Sequence, residues 1–453
     1  MVASGPDNID TQNHLRILTD AVQAGAFDQI RLLTSSLHAA EIAHLLESTP
    51  HGPRELLWEI VDADLHGEIL LHVNDDVRAG LISELETEEL IAATEGLATD
   101  DLADLISDLP GAVIHEVLLS MDKQNRQRLE SVLTYPEDTA GGLMNLDMIT
   151  VRADVILDVV QRYLRQRRNI PRSTDSLIVV DRFDHYLGLL PLSVLLTSDQ
   201  DVSVEDVMDH NADGIHADIS DVDVAKLFEK RDLVSAAVID NKGKLLGRIT
   251  IDDVVDVIRD EADHSLMSMA GLDEEDDIFA PVVLSTKRRA LWLGLNLFTA
   301  FLASWVIGQF EMTLQKFVAL AVLMPIVASM GGIAGSQTLT IVIRGMALGK
   351  IGNSNARQVM VKELLVSSLN GIIWAIVVAA ITIAWFQSLD IGLIIAAALI
   401  TNLMVAAIAG FFIPFGLQRA GIDPALAGTV LLTTVTDVIG FLTFLGLGAL
   451  YLS

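Results

Sequence analysis

The stretch LLTTVTDVIGFLTFLGLGALYL, residues 431–452, decides how this chain is read. It is long and apolar enough for a membrane-crossing helix, which needs roughly 17–25 such residues. Its one charged residue, Asp437, sits deep inside. A charge at bilayer depth costs roughly 2.5–3.5 kcal/mol on insertion scales, so such a residue marks a functional site by default. Asp437 is flanked by Thr433, Thr434 and Thr436, and Thr433, four residues earlier, shares its helix face. An acid there can hold Mg²⁺ through its water shell, since Mg²⁺ dehydrates reluctantly. It can instead relay protons, or stay neutral and hydrogen-bonded within a bundle. Of these, an ion pathway is the reading favoured here.

Working back from this span, four more apolar stretches occur at about 290–309, 317–343, 364–387 and 391–417, with the last span at 426–452. Basic residues set their direction. Lys287, Arg288 and Arg289 precede the first span; Arg344, Lys350, Arg357 and Lys362 separate the second from the third; Arg419 separates the fourth from the fifth. By the positive-inside rule the N-terminal region is cytoplasmic and the C-terminus is outside. The second span contains MPIVASMGGIAGSQTLT (324–340), with Pro325, Gly331, Gly332 and Gly335 at bilayer depth. Such residues either let a helix break, freeing carbonyls toward a hydrated ion, or let helices pack closely. A broken span lining a pore is expected, with Pro325, Gly331, Gly332, Thr433 and Thr434 on its wall.

The charge divides sharply. From Ser285 onward nine Lys/Arg face five Asp/Glu, a balance of +4, whereas the preceding residues carry 21 against 56, or −35. A surface so acidic argues against nucleic acid as a partner, because phosphate binding needs clustered Lys and Arg. Hard divalent cations prefer carboxylate oxygen, although most acids on such a surface merely solvate it. With no Cys there are no thiolate metal sites or disulfides. The acidic start, with Asp7 and Asp10, does not read as a secretory signal. No Walker loop, H-E-x-x-H site or Ser/His/Asp set is found, which argues against an enzyme.

Residues 1–130 show helical apolar spacing with few breakers. AEIAHLLESTP (40–50) is echoed by DDLADLISDLP (100–110), which suggests stacked helical hairpins in a small superhelix. Farther on, SLIVVDRFDHYLGLLPLSVLL (176–196) and SAAVIDNKGKLLGRITIDDVVDVI (235–258) each read strand–turn–strand–helix, after amphipathic helices at 156–167 and 223–232. Two such units about 60 residues apart resemble a tandem CBS pair. The second is the sharper match, at Asp240, Gly243, Gly247, Ile249, Thr250, Asp252 and Asp253. CBS pairs are regulatory, and the fold alone names no ligand. An acidic linker helix follows at 255–284, in which Asp256 and Asp260 share a face and repel without a counter-ion.

Taken in order, these segments resemble the MgtE-type magnesium channel/transporter family over essentially the whole chain. YPEDTAGGLM (135–144) matches the family's lead-in to the CBS region. Phe310-Glu311, Pro325 with Gly331-Gly332, Gly335, Gln337, Lys362-Glu363, Asn370-Gly371, Asp423-Pro424-Ala425 and the T-x-x-D-x-x-G at Thr434, Asp437 and Gly440 also match. The resemblance implies a homodimer in membrane lipid with one pore at its axis, and Asp437 as the acid holding hydrated Mg²⁺. It implies Mg²⁺ as both transported and regulatory ion. At high cytosolic Mg²⁺, ions bridging the acidic domains close the pore; Asp100, Asp104, Asp253, Asp256, Glu261 and Asp423 match family positions, and Asp260 joins them as a candidate regulatory ligand. Some members also bind a nucleotide in the CBS cleft. Two departures stand out: Ile333 and Ser336 replace the family's Asn residues, and Asp263-His264-Ser265 stands where a Glu–Asp pair is usual.

The expected architecture is a multidomain membrane protein. It has an α-helical superhelical N domain (1–130), a tandem α/β CBS pair (131–258), a long connecting helix and linker (259–284), and a five-span α-helical membrane domain (285–453). The expected role is gated Mg²⁺ uptake at the inner or plasma membrane. The alternatives are transport of Mn²⁺ or Co²⁺, and a CBS-regulated membrane sensor that transports nothing.

Overall fold

The computed structural model describes residues 16–17, 21, 26–94, 97, 99–109, 111–121, 123–171, 173–272, 277–352 and 354–452. Two compact units result: Met1–Asp263 with Glu275–Ala280, and His264–Glu274 with Pro281–Ser453. Asp7, Asp10 and residues 273–276 of the acidic linker lie outside the described residues.

The first unit opens with short helices: α1 (Phe27–Thr34), α2 (Ala39–Glu47), α3 (His51–Ile60), α4 (His66–His72), α5 (Asp75–Glu84), α6 (Thr87–Thr94), α7 (Thr99–Ser107), α8 (Gly111–Ser120) and α9 (Lys123–Val132). Helices pack on the next but one: α1 on α3, α2 on α4, α4 on α6, α6 on α8 and α7 on α9. That is the contact pattern of a stacked superhelix, in which each short unit buries its apolar stripe only against neighbours. The two echoed stretches fold alike: α2 and α7 have nine residues each, and each leads into a ten-residue helix. Pro50 ends nothing by itself; it caps the start of α3 in extended conformation. Its ring leaves no N–H to satisfy there.

Two three-stranded sheets follow. β1 (Thr150–Arg152), β2 (Ser176–Val180) and β3 (Tyr186–Pro191) form one; β4 (Ile215–His216), β5 (Ser235–Ile239) and β6 (Leu245–Thr250) form the other. Each pairs its first two strands parallel and its last two antiparallel, with a bulge at Val179/Val180 and at Val238/Ile239. The hairpin turns are alike. Asp181 Oδ1 accepts from the Phe183 and His185 N–H groups, and Asp240 Oδ1 accepts from those of Lys242 and Lys244. The amphipathic helices are α10 (Leu157–Arg167) and α13 (Asp221–Arg231), with short α11 (Leu192–Thr197) and α12 (Val204–Val207) between the repeats. The short parallel strands β1 and β4 have no signal in the sequence, because two or three residues carry no periodicity.

YPEDTAGGLM folds onto the second repeat: Ala140 and Gly141 donate to the Ile219 and Ala217 carbonyls. After β6 the chain enters α14 (Ile251–Ser268) directly, so the expected boundary at 258 falls within one continuous helix.

The second unit contains five helices long and apolar enough to cross a membrane: α15 (Val282–Gly308), α17 (Val318–Ala347), α18 (Ala356–Phe386), α19 (Leu389–Arg419) and α20 (Pro424–Leu452). Short α16 (Glu311–Lys316) joins the first two. The helices outrun the apolar stretches mainly at ends rich in Lys and Arg, residue types whose long apolar stems suit the edge of a membrane. α19 is the most buried and packs on α17, α18 and α20; α15 packs on α20. The protein is a multidomain, multi-pass membrane protein.

The expected break in the second span is absent. α17 runs as one helix through Pro325, Gly331, Gly332 and Gly335. The glycines serve close packing instead. A Cβ on Gly331 would lie 2.2 Å from Asn402 Nδ2, and one on Gly335 would lie 2.8 Å from Leu432 Cδ1. Without a hydrophobic force between helices in lipid, such close approach supplies the attraction. Gly331→Ala is therefore expected to destabilise the bundle by about 1–3 kcal/mol through overpacking. Gly332→Ala, whose Cβ meets nothing within 4 Å, leaves the melting temperature in detergent unchanged. Equal melting of the two variants would refute this packing.

Candidate functional site

The site is built on two helices. On α17, positions 329, 333, 336 and 340 recur at helical spacing along one side. With Thr433 and Asp437 of α20 they border an open groove of about 910 Å³, also lined by Gly332 and Gln337. Asp437 is half-buried there, and among the described residues no protein hydrogen bond or ion pair reaches its carboxylate. The adjacent threonines are spent on their own helix: Thr433 Oγ1 donates to Thr429 and Val430 carbonyls, and Thr434 Oγ1 to Val430 O. That leaves one carboxylate, several hydroxyl or amide side chains, and room for a hydrated ion.

Of the residues expected on the wall, Gly332 and Thr433 line the groove with Asp437. Gly331 does not: it faces fully buried Asn402, whose Nδ2 donates to Val327 O at 2.9 Å. Thr434 is not among the lining residues, and Pro325 is exposed one turn before Ser329. Ile333 is 57% exposed on the groove. Ser329 and Thr340 were missed by sequence reasoning. The signal that identifies them is the return of polar residues to one helix face, at Ser329, Ser336 and Thr340, through an otherwise apolar span.

A second membrane acid, Glu363, is only 4% exposed and is fully partnered. It accepts from Thr338 Oγ1 at 3.3 Å and pairs with Lys362 Nζ at 3.3 Å. The contrast with Asp437 is chemical: one acid is satisfied within the bundle, the other is free to meet a ligand.

The expected regulatory acids are placed as follows. Asp256 and Asp260 flank Arg259, at 3.7 and 3.4 Å. Partial desolvation holds the Asp260 carboxyl above its ordinary range, reinforced by Asp256 and Asp263 and opposed by Arg259. Asp253 accepts from the Thr250 N–H and hydroxyl, closing the start of α14. Glu261 is half-buried on the same helix. Asp104 is exposed on α7; Asp100 is on that helix too, with its side chain outside the described residues. Asp423 caps α20 through the Ala425 and Leu426 N–H groups, and His264 Nε2 lies 3.6 Å from its Oδ2.

Comparison with known proteins gives matches along the chain. The model of a divalent cation transporter family, MgtE, matches residues 324–447; that of the MgtE intracellular N domain matches 37–138; that of the CBS domain matches 204–260, the sharper repeat. The magnesium transporter MgtE of Thermus thermophilus is 27% identical over 441 residues, covering 96% of this chain and 98% of that one. Its namesake in Bacillus subtilis is 25% identical, covering 97% of each. A crystal structure of the cytosolic domain of the Mg²⁺ channel MgtE in complex with ATP is 26% identical with a TM-score of 0.49, covering 54% of this chain and 99% of that one.

Proposed function

Since the chain belongs to the MgtE family of divalent cation transporters, we propose that it admits Mg²⁺ through a gated pore, down the electrochemical gradient. The observation that carries this is the Asp437 carboxylate, which has no polar partner among the described residues and lies on an open groove inside an apolar bundle. A mere anchor has no use for such an acid. The groove suits a hydrated ion held at arm's length, and a second copy of the chain would close its open side. An inside-negative potential drives divalent entry at about 2.3 kcal/mol per charge per 100 mV. In this reading the N-terminal domain is cytoplasmic, the C-terminus is outside, and the pore is shared by a homodimer.

Regulation follows from charge. The residues before Ser285 carry −35 and repel one another until cations bridge them, and a bridging ion biases a two-state element. Cytosolic Mg²⁺ on Asp253, Asp256, Asp260, Glu261, Asp423 and the Asp100/Asp104 pair would hold the pore shut. Neutralising Asp256, Asp260 and Glu261 together is expected to leave uptake running at internal Mg²⁺ that silences the wild type. Unchanged inhibition in that triple variant would move the sensor elsewhere. A nucleotide in the CBS cleft is a further input on the family pattern.

The test is uptake into proteoliposomes with Mg²⁺ varied on the cytoplasmic side. Uptake that falls as that concentration rises supports pore and gate together. Uptake indifferent to it keeps the pore and removes the gate. One observation favours a second reading: Ile333 puts an apolar side chain on the groove where the family places Asn. Passage of Mn²⁺ or Co²⁺ without Mg²⁺ would establish that reading, and no flux of any divalent would leave a membrane sensor.

A further inference from the structure

Helix α3 presents His51 and Glu55 four residues apart, hence on one face. Their side chains touch, His51 Nδ1 lying 2.7 Å from Glu55 Oε1. Glu84, the last residue of α5, reaches the same point. One donor atom from each of the three lies within 4.8 Å of the others. All three side chains are exposed, so none is needed to fill a core. Among the described residues no Lys or Arg pairs with either glutamate. Glu59, one turn beyond Glu55, adds charge, and desolvation together with the neighbouring Glu55 holds the Glu84 carboxyl above its ordinary range.

We propose that His51, Glu55 and Glu84 form a binding site for a first-row divalent transition metal, of the Mn²⁺, Co²⁺ or Zn²⁺ class, on the N-terminal helical domain. The donor set decides the class. Imidazole nitrogen suits these metals, whereas Mg²⁺ takes oxygen ligands and keeps its waters. An i,i+4 His–Glu pair chelates across one helical turn, and Glu84 clamps the ion from a second helix. Ligands about 2.0–2.2 Å from a metal are at most about 4.4 Å apart. The exposed glutamates need shift by well under an ångström to close the shell. A cation there also relieves the Glu55–Glu84 repulsion. The site differs in kind from the all-oxygen acids of α14, so the domain would register a second class of ion.

The experiment is Co²⁺ titration of the full chain in detergent, with Mg²⁺ in large excess to occupy carboxylate-only sites. Bound Co²⁺ is counted by equilibrium dialysis, and its visible absorption reports nitrogen ligation. The wild type is expected to retain one more Co²⁺ per chain than His51→Ala or Glu84→Gln, while His264→Ala retains as much as the wild type. The exposed positions of His51 and Glu84 keep both variants folded, which circular dichroism checks. Equal binding by wild type, His51→Ala and Glu84→Gln, or no Co²⁺ retained by the wild type under excess Mg²⁺, would overturn the proposal.

Discussion

Replacing Asp437 by alanine is expected to reduce Mg²⁺ uptake to the level of empty liposomes, while the chain inserts and melts as the wild type does. The carboxylate is the one charge on the groove and has no hydrogen-bond or ion-pair partner among the described residues, so its removal breaks no polar contact with them. What it removes is attraction for the ion. Two unit charges about 4 Å apart attract by roughly 4 kcal/mol at an effective dielectric of 20. Losing that much lowers ion occupancy by about a thousandfold, at 1.4 kcal/mol per factor of ten. Asp437→Asn, which keeps the shape and loses the charge, is expected to behave like alanine. If either variant carries wild-type flux, the ion site is elsewhere. A melting temperature that falls with the flux would instead make Asp437 a packing residue.

The second large effect is one of stability and lies in the N-terminal helices. Arg54 of α3 is 7% exposed at its side chain, and its partner Asp277 is 9% exposed. The pair is bidentate, with Nη1–Oδ2 at 2.7 Å and Nη2–Oδ1 at 3.0 Å. Arg54 Nε also donates to the Leu46 and Thr49 carbonyls, satisfying the end of α2. Breaking a buried pair by removing one partner costs about 3–5 kcal/mol, chiefly because the other charge stays buried and alone. Arg54→Met is thus expected to lose a large part of a stability that totals only about 5–15 kcal/mol in a typical domain. The Arg54→Met/Asp277→Leu double variant should lose less than the single change. Trp58 reads this directly: it is the one tryptophan before residue 285, and it is 3% exposed. In a full chain with Trp292, Trp305, Trp374 and Trp385 replaced by Phe, its fluorescence during denaturant unfolding measures the shift. A single-variant cost below about 1 kcal/mol would show that the pair is not what ties Asp277 down.

Much of this was legible beforehand because it depends on short-range pattern. Five apolar spans, the CBS repeat and the helical echo at 40–50 and 100–110 all arise from periodicity or length, which the chain carries locally. The turns at Asp181 and Asp240 are of the same kind, since an Asp side chain capping its own turn needs no distant partner. The error at Pro325, Gly331, Gly332 and Gly335 is instructive. Small residues in a membrane helix permit both a break and a close approach, and the choice depends on what stands opposite. Here Asn402 and Leu432 stand opposite, and the helix stays whole.

By itself, then, the sequence determined where the chain crosses the membrane, which half is acidic, and that Asp437 is an ion-facing candidate, because apolar length and charge are properties of single segments. Only the tertiary structure decided which acids are spent. Glu363 and Asp437 are both carboxylates on membrane-crossing helices, yet Thr338 and Lys362 satisfy the first while a groove opens before the second. Likewise it took the fold to bring Arg54 to Asp277 across 223 residues, and Glu84 to His51. The reason is physical: whether a buried or crowded charge is neutralised depends on atoms within a few ångströms. In a folded chain those atoms are rarely its neighbours in sequence.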